Sequence, residues 1–88
     1  MPKLVIAHAV QDINQWLEGK ADRVKLLGAA GRNVTDHVAL DGSNQAAVSL
    51  EVDDVAAVQA MVAAPPPEVA DAMQKHGVMP PLTIYVEK

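Results

Sequence analysis

The 88-residue sequence contains no cysteine and no phenylalanine, and it has one tryptophan and one tyrosine. Without cysteine the chain forms no disulfide, offers no thiolate nucleophile and supplies no thiolate ligand to a metal. Because large aromatic side chains are so scarce, the core must be built from aliphatic side chains and methionine, which bury less area per residue. A small domain with a thin core often gains burial by self-association, so we expect a homodimer or a higher oligomer.

The sequence is also short of positive charge. It has 7 Lys and Arg residues against 11 Asp and Glu residues, a formal net charge of −4, and the basic residues do not cluster. Binding to nucleic acid or to a membrane surface is therefore disfavoured, because both depend on basic side chains that contact phosphate. The apolar run that ends at His8 is too short for a signal peptide or a membrane span. We therefore expect a cytoplasmic protein with one domain, residues 1–88.

Hydrophobic periodicity predicts the element order β-α-β-β-α-β. The predicted strands span residues 3–9, 33–40, 45–52 and 82–87, the first helix spans 12–29, and the second spans 55–63 and 67–76, broken at Pro65-Pro66-Pro67. This order predicts a ferredoxin-like α+β fold with a four-stranded antiparallel sheet and helices on one face. The other sheet face would be bare, and a bare apolar face in a small domain favours pairing with a second copy.

Side-chain spacing also predicts how these elements face the core. Asp12 and the pair Asp53-Asp54 are typical N-caps of the two helices. The predicted core face of the first helix consists of Ile13, Trp16, Leu17, Ala21, Val24 and Leu27. Arg23 is predicted on the charged face, and Asp36 interrupts the apolar side of the second strand.

Three segments resemble the small dimeric α+β barrel domains of the antibiotic biosynthesis monooxygenase-like superfamily. They are His8-x-Val10-x-Asp12-x-x-x-Trp16, Leu50-Glu51-Val52-Asp53-Asp54, and residues 73–78 followed by a proline pair and a final strand. The resemblance implies a ferredoxin-like domain that dimerises through its sheet into a closed barrel. Because reactions differ widely within the superfamily, the resemblance does not establish one.

Two classes of function follow from the resemblance. The first is a cofactor-independent monooxygenase-like or cyclase/isomerase-like enzyme that acts on a small apolar or aromatic metabolite. The second is a non-catalytic dimeric protein that binds a ligand or is associated with stress. No cofactor is implied, and the histidine spacings match no metal-ligand motif, so no metal is predicted. An enclosed pocket lined by histidine would favour the enzyme.

Four side chains are candidate site residues. His8 is the candidate catalytic base, because a neutral imidazole accepts a proton from an acidic substrate carbon near neutral pH. The alternative for His8 is a buried histidine with a purely structural hydrogen bond. Trp16, His37 and Tyr85 are candidate ligand-binding residues, with Trp16 and Tyr85 as walls of a pocket, although Trp16 also suits a core anchor and His37 could face solvent, a partner or a cavity. His76 is interpreted as a cation near a helix C-terminus.

Overall fold

Alternating strand residues and helical apolar spacing generate eight elements in the computed structural model, which describes residues 2–88. In chain order they are β1 (Lys3–Val10), α1 (Ile13–Glu18), α2 (Lys20–Gly28), β2 (Gly31–Val38), β3 (Gln45–Val52), α3 (Val55–Ala63), α4 (Pro67–Lys75) and β4 (Val78–Val86). No helix within residues 2–88 has the length and the apolar character that a membrane crossing requires.

The four strands form one antiparallel sheet in the order β2-β3-β1-β4. The central strands β1 and β3 pair along their whole length, from Lys3 opposite Glu51 to Ala9 opposite Gln45. This order and direction confirm the predicted ferredoxin-like α+β fold, because each half of the chain contributes one central strand and one edge strand.

The two faces of the sheet differ sharply in burial. Leu4, Ile6, Val48 and Leu50 point toward the helices and are at most 4% exposed. There they pack with Leu27 of α2 and Val58 of α3. The alternate residues of β1 on the opposite face, Val5, Ala7 and Ala9, are only partly buried. The helices therefore cover one face, as predicted, and this face carries the core.

The predicted helix starts are present. The Asp12 carboxylate accepts a hydrogen bond from the backbone N–H of Gln15 at 3.0 Å, and Asp54 accepts one from Ala57 at 3.1 Å. Each cap satisfies a backbone donor that the first helical turn leaves without a partner. Pro67 begins α4 at its first turn, where a missing N–H costs nothing. The prolines therefore separate α3 from α4, as expected.

The prediction of a single first helix was wrong. The chain turns at Gly19, between α1 and α2, where the imidazole of His76 lies so close that a Cβ atom at residue 19 would overlap it. The buried residues Trp16, Arg23 and Leu27 nevertheless keep helical spacing across the turn, so one face of both helices packs inward. Val24, predicted to face the core, is 44% exposed, whereas Arg23, predicted to face solvent, is only 9% exposed.

Two strand boundaries also differ from the prediction. β2 runs from Gly31 to Val38, and Leu40, predicted within the strand, lies fully exposed in the following loop. β4 begins at Val78 rather than Leu82, and it includes the cis peptide Pro80–Pro81. Proline is tolerated there because β4 is an edge strand whose only neighbour is β1.

Candidate functional site

A cavity of about 80 Å³ lies between the helix-covered face of the sheet and the helices. Most of its wall is apolar, and the side chains that supply this wall include Ile6, Val48, Leu27, Met61, Val69 and Met73. Four polar or amphipathic side chains also line it, namely His8, Trp16, Arg23 and His76. An apolar cavity with a few convergent polar groups is the usual form of a small-molecule site. One water needs roughly 10–15 Å³ of such space, so the cavity has room for several waters or one small molecule.

The position of His8 follows from an irregularity in the sheet. On one side it pairs with Ala46 of β3. On the other side the register shifts, since Ala7 pairs with Thr83 and Ala9 pairs with Met79, so that His8 alone faces a bulge of three residues in β4. Two of those three are prolines, which have no N–H to donate to the ladder. Bulges of this kind re-aim side chains beside functional sites, and here His8 has no cross-strand neighbour on β4.

The hydrogen bonding of His8 defines its tautomer. Its Nδ1 lies 3.0 Å from the backbone oxygen of Ala9. A carbonyl oxygen only accepts, so Nδ1 carries the proton and donates it, and in the neutral ring the lone pair resides on Nε2. Among residues 2–88 no group forms a hydrogen bond with Nε2. The ring therefore presents an unoccupied acceptor.

The electrostatic surroundings of His8 keep it neutral. Burial lowers its pKa below the ordinary value of 6.5. The Ala9 hydrogen bond opposes that shift, and the positive charge of Arg23 adds to it. Arg23 and His76 are the other titratable groups that line the cavity. At neutral pH the imidazole is therefore unprotonated and able to accept a proton.

Trp16 is both a core anchor and a wall of the cavity. Its side chain is fully buried and packs with Val10 and Ala46. Its ring stands edge-on to the His8 imidazole, with 5.8 Å between the ring centroids and an angle of 71° between the planes. Both roles considered from the sequence thus belong to the same indole ring.

Arg23 is the main residue of the cavity that the sequence analysis missed. Its guanidinium carbon lies 3.9 Å from the centroid of the Trp16 ring, a cation–π contact. Its Nε and Nη2 donate to the two carboxylate oxygens of Asp36 at 3.1 Å and 2.9 Å, and Nη2 also donates to the Trp16 carbonyl at 2.6 Å. Asp36, which interrupts the apolar side of β2, was the feature of the sequence that could have revealed Arg23. A carboxylate directed toward the core is rarely buried unless a cation pairs with it.

His76 joins the end of α4 to α2. It occupies the predicted place at the helix C-terminus, but it is only 5% exposed, and its Nε2 lies 3.2 Å from a carboxylate oxygen of Asp22. The ring fills the space that Gly19 leaves open and lines the cavity. Across residues 2–88 no three His, Asp or Glu side chains are grouped as a metal site would require.

The structure places His37 and Tyr85 away from this cavity, on the bare face of the sheet. His37 lies opposite Ala47, and its Nε2 is 2.9 Å from the hydroxyl of Ser49. Tyr85 lies opposite Val5 and is 58% exposed. Tyr85 was expected as a wall of the pocket between sheet and helices, but in β4 it is Ile84 and Leu82 that point toward the core. Of the four candidates, the cavity brings together His8 and Trp16.

Solved structures resemble this architecture along nearly the whole chain. An antibiotic biosynthesis monooxygenase is 12% identical, with a TM-score of 0.69 over 100% of this chain and 97% of that one. Tetracenomycin F2 cyclase from Streptomyces glaucescens, a type-II polyketide cyclase, is 13% identical, with a TM-score of 0.59 over 92% and 79%. A dimeric protein of unknown function and ferredoxin-like fold from Bacteroides fragilis is 16% identical, with a TM-score of 0.56 over 96% and 93%.

The chain has the ferredoxin-like fold of these proteins. No protein-family model and no curated protein matches the sequence. At identities of 12% to 16% the likeness concerns the fold, and the ferredoxin-like fold hosts unrelated activities. The function must therefore be argued from the cavity and the residues that line it.

Proposed function

We propose that the protein is an enzyme that removes a proton from an acidic carbon of a small apolar or aromatic metabolite, with His8 as the base. The observation that carries this proposal is the unoccupied Nε2 of a neutral His8 in an apolar cavity. A candidate base must offer a free lone pair within reach of a bound substrate, and the position of His8 in the cavity wall supports this role.

The chemistry begins with transfer of the substrate proton to Nε2. The electron pair of the broken C–H bond remains on the substrate as a carbanion, which is an enolate when a carbonyl is adjacent. Return of the proton to another carbon completes an isomerisation. Attack of the carbanion on a second carbonyl forms a C–C bond and an alkoxide, and transfer of the proton from His8 to that alkoxide completes a cyclisation. Addition of molecular oxygen to the carbanion, with the same proton, gives a hydroperoxide, and loss of water from it leaves the carbonyl product of a monooxygenase-like reaction. The proteins of similar fold described as a monooxygenase and as a cyclase support this range of reactions.

Proton exchange tests the proposal without knowledge of the natural substrate. The probe is 2-indanone, a small ketone with acidic C–H bonds beside its carbonyl, and NMR follows replacement of those protons in D2O. We expect the protein to accelerate exchange above the buffer rate and His8→Gln to abolish the acceleration. His37→Gln is the matched control, because the same change is made on the opposite face of the sheet. Binding of 2-indanone without exchange would contradict the proposal and support a non-catalytic ligand-binding protein.

We propose further that two copies pair through the bare sheet face. This face carries Val5, Ala7 and Ala47 at its centre, and Tyr85 adds an exposed aromatic side chain. Exposed apolar surface of this kind favours a partner, and the similar Bacteroides fragilis protein is described as dimeric. Sedimentation equilibrium tests the pairing, and a monomer at micromolar concentration would contradict it.

A further inference from the structure

Two buried nitrogen atoms in the described part of the chain have no hydrogen-bond acceptor, and both belong to side chains that line the cavity. They are Nε1 of Trp16 and Nη1 of Arg23. Buried donors are nearly always paired, because an unpaired one forfeits its hydration without compensation. Two such donors on adjacent side chains therefore require an explanation.

The geometry shows why Nη1 in particular is unoccupied. Asp36 accepts from Nε and Nη2, and the Trp16 carbonyl accepts from Nη2 as well. These three bonds fix the guanidinium over the indole ring, 3.9 Å from its centroid. The N–H groups on Nε and Nη2 of Arg23 are thus hydrogen-bonded, whereas those on Nη1 have no acceptor and are held beside the Trp16 ring.

We propose that Nη1 of Arg23 and Nε1 of Trp16 bind an oxygen atom of the ligand, and that this oxygen is a carbonyl that becomes an enolate. The inference rests on the proposed proton abstraction by His8 and names its substrate class. When Nε2 of His8 takes the proton, the C–H electron pair forms a C=C bond and the carbonyl π pair moves onto oxygen. Donors fixed in advance around that oxygen stabilise the developing charge.

Asp36 restricts the substrate further. Its carboxylate balances the charge of Arg23 in a pair whose side chains are 5% and 10% exposed. A ligand that arrived as a carboxylate would bring an unbalanced negative charge into an apolar cavity, which is costly. A neutral ketone adds no net charge on binding, and proton transfer to His8 creates a positive charge as the enolate forms. The oxygen subsite, formed by Nη1 of Arg23 and Nε1 of Trp16, therefore selects neutral carbonyl compounds over carboxylates and over hydrocarbons.

A binding comparison tests the subsite. The probes are 2-indanone, indane, which has the same rings without the oxygen, and indane-2-carboxylate. A hydrogen bond to a charged donor predicts at least about tenfold tighter binding of the ketone than of indane. Because Trp16 is the only tryptophan, the ¹H–¹⁵N spectrum holds one indole resonance, and the ketone should move its proton downfield. Equal affinity for ketone and indane, or preference for the carboxylate, would overturn the inference.

Two variants test oxygen binding by Arg23 and Trp16 independently of proton abstraction by His8. Trp16→Phe keeps an aromatic ring and removes the indole N–H, and Arg23→Lys keeps a cation for Asp36 and removes Nη1. Each should reduce the preference of the ketone over indane severalfold while indane binding stays the same. Because Arg23→Lys could also unfold the chain, thermal melting accompanies each titration and Trp16→Phe provides the second test. His8→Gln should abolish proton exchange but keep the ketone preference, so failure of the base and failure of the subsite give different results.

Discussion

The buried pair of Arg23 and Asp36 gives the largest stability effect that the structure predicts. Asp36→Ala leaves the guanidinium without its carboxylate while Arg23 remains only 9% exposed. Removal of one partner of a buried pair costs about 3–5 kcal/mol, because the other charge stays buried without compensation. In a domain of this size each kcal/mol lowers Tm by about 4–8 °C, so Tm should fall by at least about 12 °C.

Urea unfolding measures this cost, and the fluorescence of Trp16 follows it because the fully buried indole becomes exposed when the chain unfolds. The matched control is Asp53→Ala, which removes the carboxylate that faces Arg32 at 3.5 Å on the surface, where the side chains are 79% and 46% exposed. An exposed pair contributes about 1 kcal/mol or less. The double variant Arg23→Met with Asp36→Leu should recover most of the loss, because no charge remains buried. If Asp36→Ala costs no more than the surface control, the assignment of a buried, energetically coupled pair is wrong.

Three further predictions concern other parts of the molecule. Burial lowers the pKa of His8 in the folded state below 6.5, so the unfolded chain binds the extra proton first and stability falls as the pH drops below that value. His8→Gln should therefore show a smaller loss of unfolding free energy between pH 7.5 and 5 than the wild type in urea titrations, and equal losses would contradict the assigned burial. Gly19→Ala should cost about 1–3 kcal/mol, because its methyl group overlaps the ring of His76, whereas Gly28→Ala, with open space around it, should cost nothing in the same thermal melts. Ala47→Lys places a charge at the centre of the bare sheet face and should shift a dimer to folded monomer in sedimentation, with a lower Tm because the dimer no longer stabilises the folded chain, and an unchanged dimer would assign the interface elsewhere.

Much of the fold was predictable because its determinants are local. In β3 every second residue from Ala46 to Val52 is apolar and buried, and Asp12 and Asp54 stand directly before helical apolar spacing. Pro65 follows the end of one helix, and Pro67 starts the next. Patterns of this kind depend on neighbours within a few residues, and a sequence displays them without reference to the rest of the chain.

The sequence-based predictions were wrong where contacts between residues far apart in the chain determine the structure. The ring of His76 occupies the space beside Gly19, and the buried guanidinium of Arg23 is paired with Asp36 across the α2–β2 connection. The early start of β4 depends on a register shift that only strand pairing reveals. For the same reason the sequence indicated His8 and Trp16 as separate candidates but did not show that the Arg23 guanidinium packs over the indole ring.

The bulge in β4 joins the edge of the sheet to the cavity, because Leu82, one of its three residues, lines the cavity and packs on the core. Since β4 pairs only with β1, a residue added or removed near Pro80 leaves the register of β1 with β3 unchanged. Such a change would move Leu82, which lines the cavity together with His8, while the pairing of the central strands stays in place. The size of the cavity therefore depends on one short edge segment, whereas the register of the central strands does not.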